Sequence, residues 1–327
     1  MIKNLLRFIT SNCFYTIGCA FKSDNLLWKS HKISGRGVSY ALISLVSKGS
    51  ADALKIYSQN FFAPFLGASD VHTLMGVRIG LAENCASGII ASYRDKKEKS
   101  FIPTLEEKFL TFLIKKADVF NGQLLQDAFV QWILQEKQKG FFVEIGTGDG
   151  IFLSNSYALE KEFGWCGILA EPNKNFQKEI KKNRPDSILA PYAITDKSGK
   201  KLMFMDTYDA PELSTLKNYA HQDLHDRSTF NEYEVETMTL NDLLSKYDAP
   251  SRVNYISVDT EGSEYTILKD FDFNKYAVDV FTVEHNYNAE NLAKIDSVLL
   301  PNGYARVFKN ISRFDAWYVK KGLLEKL

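Results

Sequence analysis

Three glycines and two acids fall within the stretch "EIGTGDG": Glu144, Gly146, Gly148, Asp149 and Gly150. A further acid, Glu171, follows in "EPN". Glycine permits a tight turn and lets a ligand approach the backbone closely. Two kinds of cofactor suit such a turn. A dinucleotide site carries G-x-G-x-x-G, with a pyrophosphate on the helix N-terminus. Here Ile151 stands where that third glycine belongs, and Asp149 would sit beside the anion. S-adenosylmethionine has no phosphate. Its sulfonium and ammonium charges match the acids Glu144 and Asp149. A carboxylate at Glu171 can accept two hydrogen bonds from ribose hydroxyls. Nicotinamide dinucleotide sites use the same device, so Glu171 supports a nucleoside and the glycine spacing does the choosing.

Two more acidic pairs lie downstream. "DTEG" holds Asp259 and Glu261, and "VEHN" holds Glu284 and His285. Methyl transfer to an oxygen needs somewhere for the proton to go, and a general base contributes about 10²–10⁴-fold. Asp259, Glu261 and His285 are the catalytic candidates, with the imidazole placed between carboxylates and oriented by one of them. The bland alternative is that Asp259 and Glu284 only hold loop backbone. The same carboxylates and imidazole are acceptable ligands for a divalent cation, but spacing does not fix geometry and no metal is assigned. His221 and His225, four apart in a polar loop, are read as substrate contacts or surface residues. The N/D-P-P-Y/F motif of enzymes that methylate nucleobase amines is missing from "DTEG", which points to a hydroxyl acceptor.

These residues need a scaffold that brings strand ends together. "FFVEI", "CGILAE", "SILAPYAIT", "NYISVD" and "AVDVFTVE" are apolar runs rich in β-branched and aromatic residues, hence buried strands. "KKLMFMD" and "YEVETMTL" are also strand-like. Helical patterns intervene: "SNSYALEKEFG", stopped by Gly164; "NKNFQKEIKKNRP", with Phe176 and Ile180 inward; "NDLLSKY"; "SEYTILKDF"; and "AENLAKIDSVLL". "YARVFKN" and "DAWYVKK" read as a closing hairpin. Such alternation predicts a doubly wound α/β sheet, mostly parallel, with the terminal hairpin adding antiparallel strands at one edge. In such sheets ligands lie at the carboxyl ends of the strands, where Glu144, Glu171, Asp259 and Glu284 all fall. Residues 207–232 break the rhythm. A polar loop of that length is either a substrate-side lid or a decorative insertion.

The chain of 327 residues carries 40 basic and 40 acidic side chains, so no global field draws it to nucleic acid or an anionic membrane. On that ground nucleic acid is not expected as a partner. A small-molecule or glycan acceptor is. Residues 1–110 are expected to form a helical region of unassigned role, with residues 111–327 as the α/β domain. In the first region, "SYALISLVSKGSADALKIYSQNFF" looks helical, and residues 94–100, "RDKKEKS", look like a solvated linker. Thr104 and Glu107 have capping-box spacing at the start of another helix. The N-terminal "MIKNLLRFITSNCFYTIGCAF" is too short and too polar to span a bilayer. It reads as an amphipathic helix packed on the protein, with peripheral membrane contact as the minority reading. Cys13, Cys19, Cys85 and Cys166 form no C-x-x-C pair, so they are read as reduced thiols in a cytoplasmic protein, against a dissenting Cys13–Cys19 disulfide.

Over residues 123–319 the chain resembles methyltransferases of the FkbM type, a branch of the Rossmann-like S-adenosylmethionine-dependent enzymes. The resemblance runs in order through "QDAFV", "GFFVEIGTGDG", "LSNSYALEKEFGW", "GILAEPNKNF", "APYAITDKSG", "VETMTLNDLL", "YISVDTEGSEYTIL", "FTVEHNY", "NGYARV" and "FDAWYV". It implies that S-adenosylmethionine is held by Glu144, Gly146, Thr147, Gly148, Asp149, Gly150 and Asn155. Glu171 would take the ribose. Pro172, Asn173, Tyr192 and Ala193 would border the adenine, and Asp259 would lie over the reacting centre. It also implies O-methylation of a sugar, polysaccharide or secondary-metabolite hydroxyl. Many relatives have Ala at Thr147, which should be harmless, and Asp at Ala316, which leaves that acid's role in doubt. The competing readings are an NAD-linked oxidoreductase on the same sheet and a non-catalytic binding module with a methyltransferase-like fold.

Overall fold

The computed structural model describes residues 119–327 apart from 209, 221–226, 228, 310 and 311, together with Leu105, Lys108, Phe109 and Phe112. The chain divides into two compact units, Met1–Asp118 and Val119–Leu327. The expected N-terminal amphipathic helix, the helix over "SYALISLVSKGSADALKIYSQNFF", the linker at 94–100, the Thr104–Glu107 capping box and Cys13, Cys19 and Cys85 fall outside the described residues. So do His221 and His225. The four described positions between 105 and 112 are helical, as the pattern there predicts.

In the second unit the apolar runs form a seven-stranded sheet. Its strands are β1 (Phe141–Ile145), β2 (Cys166–Ala170), β3 (Ile188–Ala190), β8 (Arg252–Val258), β9 (Ala277–Glu284), β10 (Tyr304–Val307) and β11 (Asp315–Lys320). The order is β10-β11-β9-β8-β1-β2-β3. All pairs from β3 to β9 are parallel, while β11 runs antiparallel to both β9 and β10. The terminal hairpin is therefore present, with its last strand inserted between β9 and β10. The chain winds outward from β1 in one direction to β3, then returns to β8 and winds the other way. Right-handed crossovers then place the two sets of helices on opposite faces.

Side-chain alternation along β1 separates those faces. Val143 and Ile145 join the main core with Leu243 and Leu244 of α4 (Leu240–Lys246), Ile267 and Leu268 of α5 (Glu264–Leu268), and Ile295 and Leu299 of α6 (Ala289–Leu299). Phe142 points the other way, and the Arg184 guanidinium lies 5.5 Å from its ring centre. That face also carries α1 (Gln126–Ile133), α2 (Tyr157–Phe163) and α3 (Lys174–Asn183). On α1, Phe129 stacks on Trp317 with 4.5 Å between ring centres.

One expectation about strand continuity needs correcting. "SILAPYAIT" is not a single strand. Pro191 lacks a ladder donor and restricts its neighbour, and the chain leaves the main sheet there. Beyond it, β4 (Ala193–Ile194) joins β5 (Lys201–Thr207), β6 (Thr215–Leu216) and β7 (Phe230–Met238) in a second sheet of order β4-β7-β5-β6. "KKLMFMD" and "YEVETMTL" are strands as expected, but of this second sheet. The polar stretch after β5 contains β6 and short 3-10 turns at Pro211–Leu213 and Lys217–Tyr219.

Candidate active site

Sheet register brings the distant acids together. Ile145 pairs with Ala170 on one side and Val258 on the other, and Val258 pairs with Val283. The next row across the sheet therefore holds Glu171, Gly146, Asp259 and Glu284, with Asp315 paired to Glu284 beyond them. The ladder extends into that row: Gly146 N donates to Ala170 O at 3.0 Å, and Asp259 N donates to Ile145 O at 3.0 Å. This row lies at the carboxyl ends of the strands, on both sides of the point where the winding reverses, which is where open α/β sheets bind ligands.

The glycine turn is held from below. Glu144 is buried, and its carboxylate accepts from Asn155 N at 2.7 Å, Ser154 Oγ at 2.9 Å and the Ser156 hydroxyl. Burial raises its pKa, opposed by the charge of Arg184 and by those hydrogen bonds. Arg184 is itself buried. It pairs with Glu160 at 2.6 Å and donates to Gly150 O at 2.9 Å and Ser156 Oγ at 3.1 Å. Asp149 turns back on its own loop, accepting from Ile151 N at 2.8 Å and Phe152 N at 2.7 Å. Asp149 thus binds its own turn, and Glu144, within β1, binds the segment that leads into α2. The simple picture of Glu144 and Asp149 as counter-charges to a ligand is replaced by one in which they shape its cradle. Arg184 had no distinguishing mark in the sequence, since "KKNRP" reads as a charged helix end.

Above the turn, the structure offers room and donors. Among the described residues, a Cβ on Gly148 would meet nothing within 4 Å. Gly148 N donates to Glu171 Oε2 at 3.0 Å, and Asn173 N donates to Glu171 Oε1 at 2.8 Å. Burial pushes the Glu171 carboxyl up to about 7, against the pull of these amides. Among the described residues, Thr147 Oγ1 and Asn155 Oδ1 are buried without a hydrogen-bond partner, while Asn155 Nδ2 donates to Ser257 Oγ at 3.0 Å. Pro172 contributes its carbonyl, which accepts from Gln177 Nε2 at 3.2 Å. Ala193 is buried in the core of the second sheet. The Tyr192 hydroxyl accepts from Lys246 of α4 at 2.6 Å, so its phenol is tied to that helix rather than to the glycine turn.

The "DTEG" turn is built around a residue that the sequence reading did not single out. Glu264 Oε1 accepts from Thr260 N at 3.1 Å, Thr260 Oγ1 at 3.0 Å and Gly262 N at 2.9 Å. Its position two residues past a glycine, at the start of α5, was the available signal. Carboxylate oxygens of Asp259, Glu261 and Glu284 lie within 4.8 Å of one another. Such a set suits shared protons or a cation. Asn286 Nδ2 bridges Glu261 and Glu284 at 3.0 Å each. Glu261 also pairs with the buried Arg227 at 3.4 Å, and Arg227 donates to Leu213 O at 2.6 Å. Thr215 Oγ1 reaches Thr260 O at 3.2 Å. Glu261 therefore anchors the segment after β5 to the acidic turn.

Burial drives the protonation of this cluster. Asp259 is pushed up to about 6, restrained by its hydrogen bond with Glu284. Glu284 is raised well above the usual carboxylate range by burial and then by Asp259 and Glu261. The two titrate as a pair, with the proton held mainly on Glu284. His285 is not part of the cluster. It lies just past the end of β9, and its ring meets Tyr287 with 6.3 Å between centres. Burial lowers its pKa, and the charges acting on it are Arg306 and Asp296 rather than Asp259. The expectation of an imidazole between two carboxylates does not hold. Ala316, opposite Val283, is one row deeper in the apolar core.

Asp315 closes the row. It is buried, accepts from Gln126 Nε2 at 2.8 Å, and is pushed up to about 7 by burial and the charge of Asp259. A carboxyl whose folded pKa is raised binds its proton more tightly when folded. That contribution is complete below the ordinary carboxylate range and is lost as pH rises through about 7. Asp315→Asn should therefore gain stability relative to the parent as pH rises from about 4 to about 8, by on the order of 2–4 kcal/mol. Chemical unfolding at both pH values measures this; a difference independent of pH would contradict the assignment.

The strand order and the ligand row define an α/β methyltransferase fold. Residues 144–306 match the methyltransferase FkbM domain, and the chain thus carries a domain of the FkbM methyltransferase family. Comparison with curated proteins gives no significant match. Among solved structures, methyltransferase FkbM from Methylobacillus flagellatus KT shares 12% identity over 77% of this chain with a TM-score of 0.39, and the chain spans 60% of that protein's length. The N-terminal domain of human METTL16 shares 12% identity over 76% of this chain and 81% of its own, TM-score 0.35. The hMettl16 catalytic domain in complex with MAT2A 3'UTR hairpin 6 shares 13% identity over 71% and 90%, TM-score 0.28. The last is a domain seen with an RNA hairpin, and the expectation that nucleic acid is no partner is withdrawn. A net charge of zero describes the whole chain and says nothing of a local surface. Among the described residues, no helix is long and apolar enough to cross a membrane.

Proposed function

We propose that this domain binds S-adenosylmethionine between the glycine turn and Glu171 and methylates a hydroxyl group of a sugar, polysaccharide or secondary metabolite. The observation that carries the proposal is the single sheet row of Glu171, Gly146, Asp259 and Glu284, with open space over Gly148. The residues fit the cofactor. Glu171 offers a carboxylate for a ribose diol, Gly148 leaves the backbone approachable, and Thr147 and Asn155 have oxygens that lack partners. When bound, S-adenosylmethionine supplies an electrophilic methyl group on a sulfonium. The chain's own residues then orient the acceptor and remove its proton. Asp259, ionised above about pH 6, accepts the hydroxyl proton, and Glu284 holds Asp259 in place as its hydrogen-bond partner. Glu261 fixes the segment that carries Arg227 against the same turn.

Calorimetry with S-adenosylhomocysteine and with NAD is the deciding experiment, followed by methyl transfer to candidate hydroxyl acceptors. Saturable binding of S-adenosylhomocysteine alone is expected. Binding of NAD alone would favour an oxidoreductase, and binding of neither a non-catalytic module. Glu171→Ala should weaken S-adenosylhomocysteine by about 10- to 100-fold, the loss of one or two charge-assisted hydrogen bonds. Unchanged affinity would remove Glu171 from the ribose site.

A further inference from the structure

The second sheet has no place in the reaction as described, yet it sends one buried acid toward the nucleoside side of the site. Asp206, near the end of β5, is 7% exposed. A carboxylate in that position must be hydrogen-bonded to be tolerated. Its two oxygens accept from Asn173 Nδ2 at 2.7 Å and Asn175 Nδ2 at 3.3 Å. We propose that Asp206 is a positioning residue for Glu171, so that the second sheet forms a working wall of the cofactor pocket.

Asn173 is the link. Its Oδ1 caps α3 by accepting from Asn175 N at 2.9 Å, its Nδ2 donates to Asp206, and its backbone N donates to Glu171 Oε1. An amide with an acceptor duty on one side and a donor duty on the other has only one orientation that satisfies both. Asn173 is therefore held at three points, and through it Glu171 Oε1 is fixed. The other oxygen, Oε2, is fixed by Gly148 N. A continuous chain of hydrogen bonds thus runs from β5 through Asn173 and Glu171 to the glycine turn. Gln177 Nε2 pins the same segment by donating to Glu171 O at 2.9 Å.

The charge of Asp206 matters as well as its geometry. The charged or titratable groups around Glu171 are Asp206 of β5, Tyr233 of β7, and Lys174, whose ammonium lies 4.4 Å from the Tyr233 ring centre. Asp206 adds to the burial that raises Glu171. Two carboxylates so placed repel a phosphate but tolerate a neutral ribose diol. That selects for a nucleoside without a phosphate at this end.

The proposal rests on the reading of Glu171 as the ribose acceptor, and the experiment separates the two. Asp206→Asn and Asp206→Ala are made in the full chain. S-adenosylhomocysteine affinity is measured from about pH 5.5 to about pH 8.5, and the Glu171 carboxyl is titrated by carbon-13 NMR in the free protein. Asp206→Asn keeps an acceptor for Asn173 but loses the charge. Its Glu171 should titrate below the parent's midpoint of about 7, the acid limb of binding should move with it, and affinity at high pH should stay within about threefold. Asp206→Ala should lose about 10- to 100-fold at every pH, since Asn173 is freed. Equal losses in both variants with an unmoved Glu171 titration would show a merely structural role and overturn the proposal. Parental binding in both variants would overturn it too. If the parent itself fails to bind S-adenosylhomocysteine, the cofactor reading fails. The Glu171 titration then still decides whether Asp206 acts on that carboxyl, and an unmoved midpoint refutes it.

Discussion

Gly146→Ala is expected to abolish S-adenosylhomocysteine binding, by more than about 100-fold, and to lower the melting temperature by roughly 5–15 °C. Gly146 has φ 81°, in the left-handed region, and an added Cβ would lie 1.7 Å from the Asp259 carbonyl oxygen. The left-handed conformation costs an L-residue about 1–2 kcal/mol, and overpacking adds about 1–3 kcal/mol. Asp259 O is backbone held by the β1–β8 ladder, since its own N–H bonds to Ile145 O. The clash can therefore be relieved only by parting the two strands whose ends form the site. Gly148→Ala is the control. Its φ is 56°, but its Cβ would meet nothing within 4 Å, so only the conformational penalty applies. That variant should fold with a small loss of stability and show its defect in ligand binding, because the methyl group would occupy the open space. Calorimetry and thermal unfolding of both proteins test the contrast. Equal stability of Gly146→Ala and the parent would mean that the strand ends are not packed as described.

The sequence exposed the parts of this site that obey local rules. "FFVEI" and "NYISVD" are buried parallel strands because every face of them is covered, and that leaves a run of apolar residues to recognise. Glu171 and Asp259 were locatable because each ends such a run. What the sequence concealed depends on pairing between distant segments. His285 follows Glu284 by one residue, and "VEHN" alone does not say which of the two faces the acids; the β9–β11 register does. Arg184 and Asp206 carry no local signature, for their roles arise only when α3 crosses the glycine turn and β5 pairs within the second sheet. Pro191 was visible as a strand breaker, but the second sheet it leads into was not. Asp149 lies in the turn, whereas Glu144 lies in β1 beside it. Their side chains satisfy loop amides and hydroxyls there, a duty that spacing cannot distinguish from a charge offered to a ligand.

Asp259→Asn is expected to lower methyl transfer by about 10²–10⁴-fold while leaving S-adenosylhomocysteine affinity within about threefold of the parent. The asparagine keeps the size of the side chain and can still pair with Glu284, so the strand end should hold its shape. What is lost is the acceptor for a proton. In the parent, Asp259 is pushed up to about 6, so activity should rise with pH along a limb centred near that value. The partner then gives the discriminating variants. Glu284, raised well above the usual range, keeps its proton and donates to Asp259, which favours the ionised form of the base. Glu284→Ala removes that donor, so the limb should move to higher pH. Glu284→Gln retains an N–H donor and should leave it nearly in place. A rate–pH profile for the three proteins separates this arrangement from one in which the carboxylates only brace the loop. Bracing alone predicts parallel losses of stability and rate with no movement of the limb, and retained turnover in Asp259→Asn would strike Asp259 from the reaction. The same logic sets the stability of the free protein. Below the ordinary carboxylate range Asp259 is protonated in both states, and the advantage of the folded state's higher pKa is lost as pH rises through about 6. Asp259→Asn should then unfold at a higher denaturant concentration than the parent at pH 8 despite being nearly inactive, as expected where a charge is kept buried for its chemistry rather than for the fold.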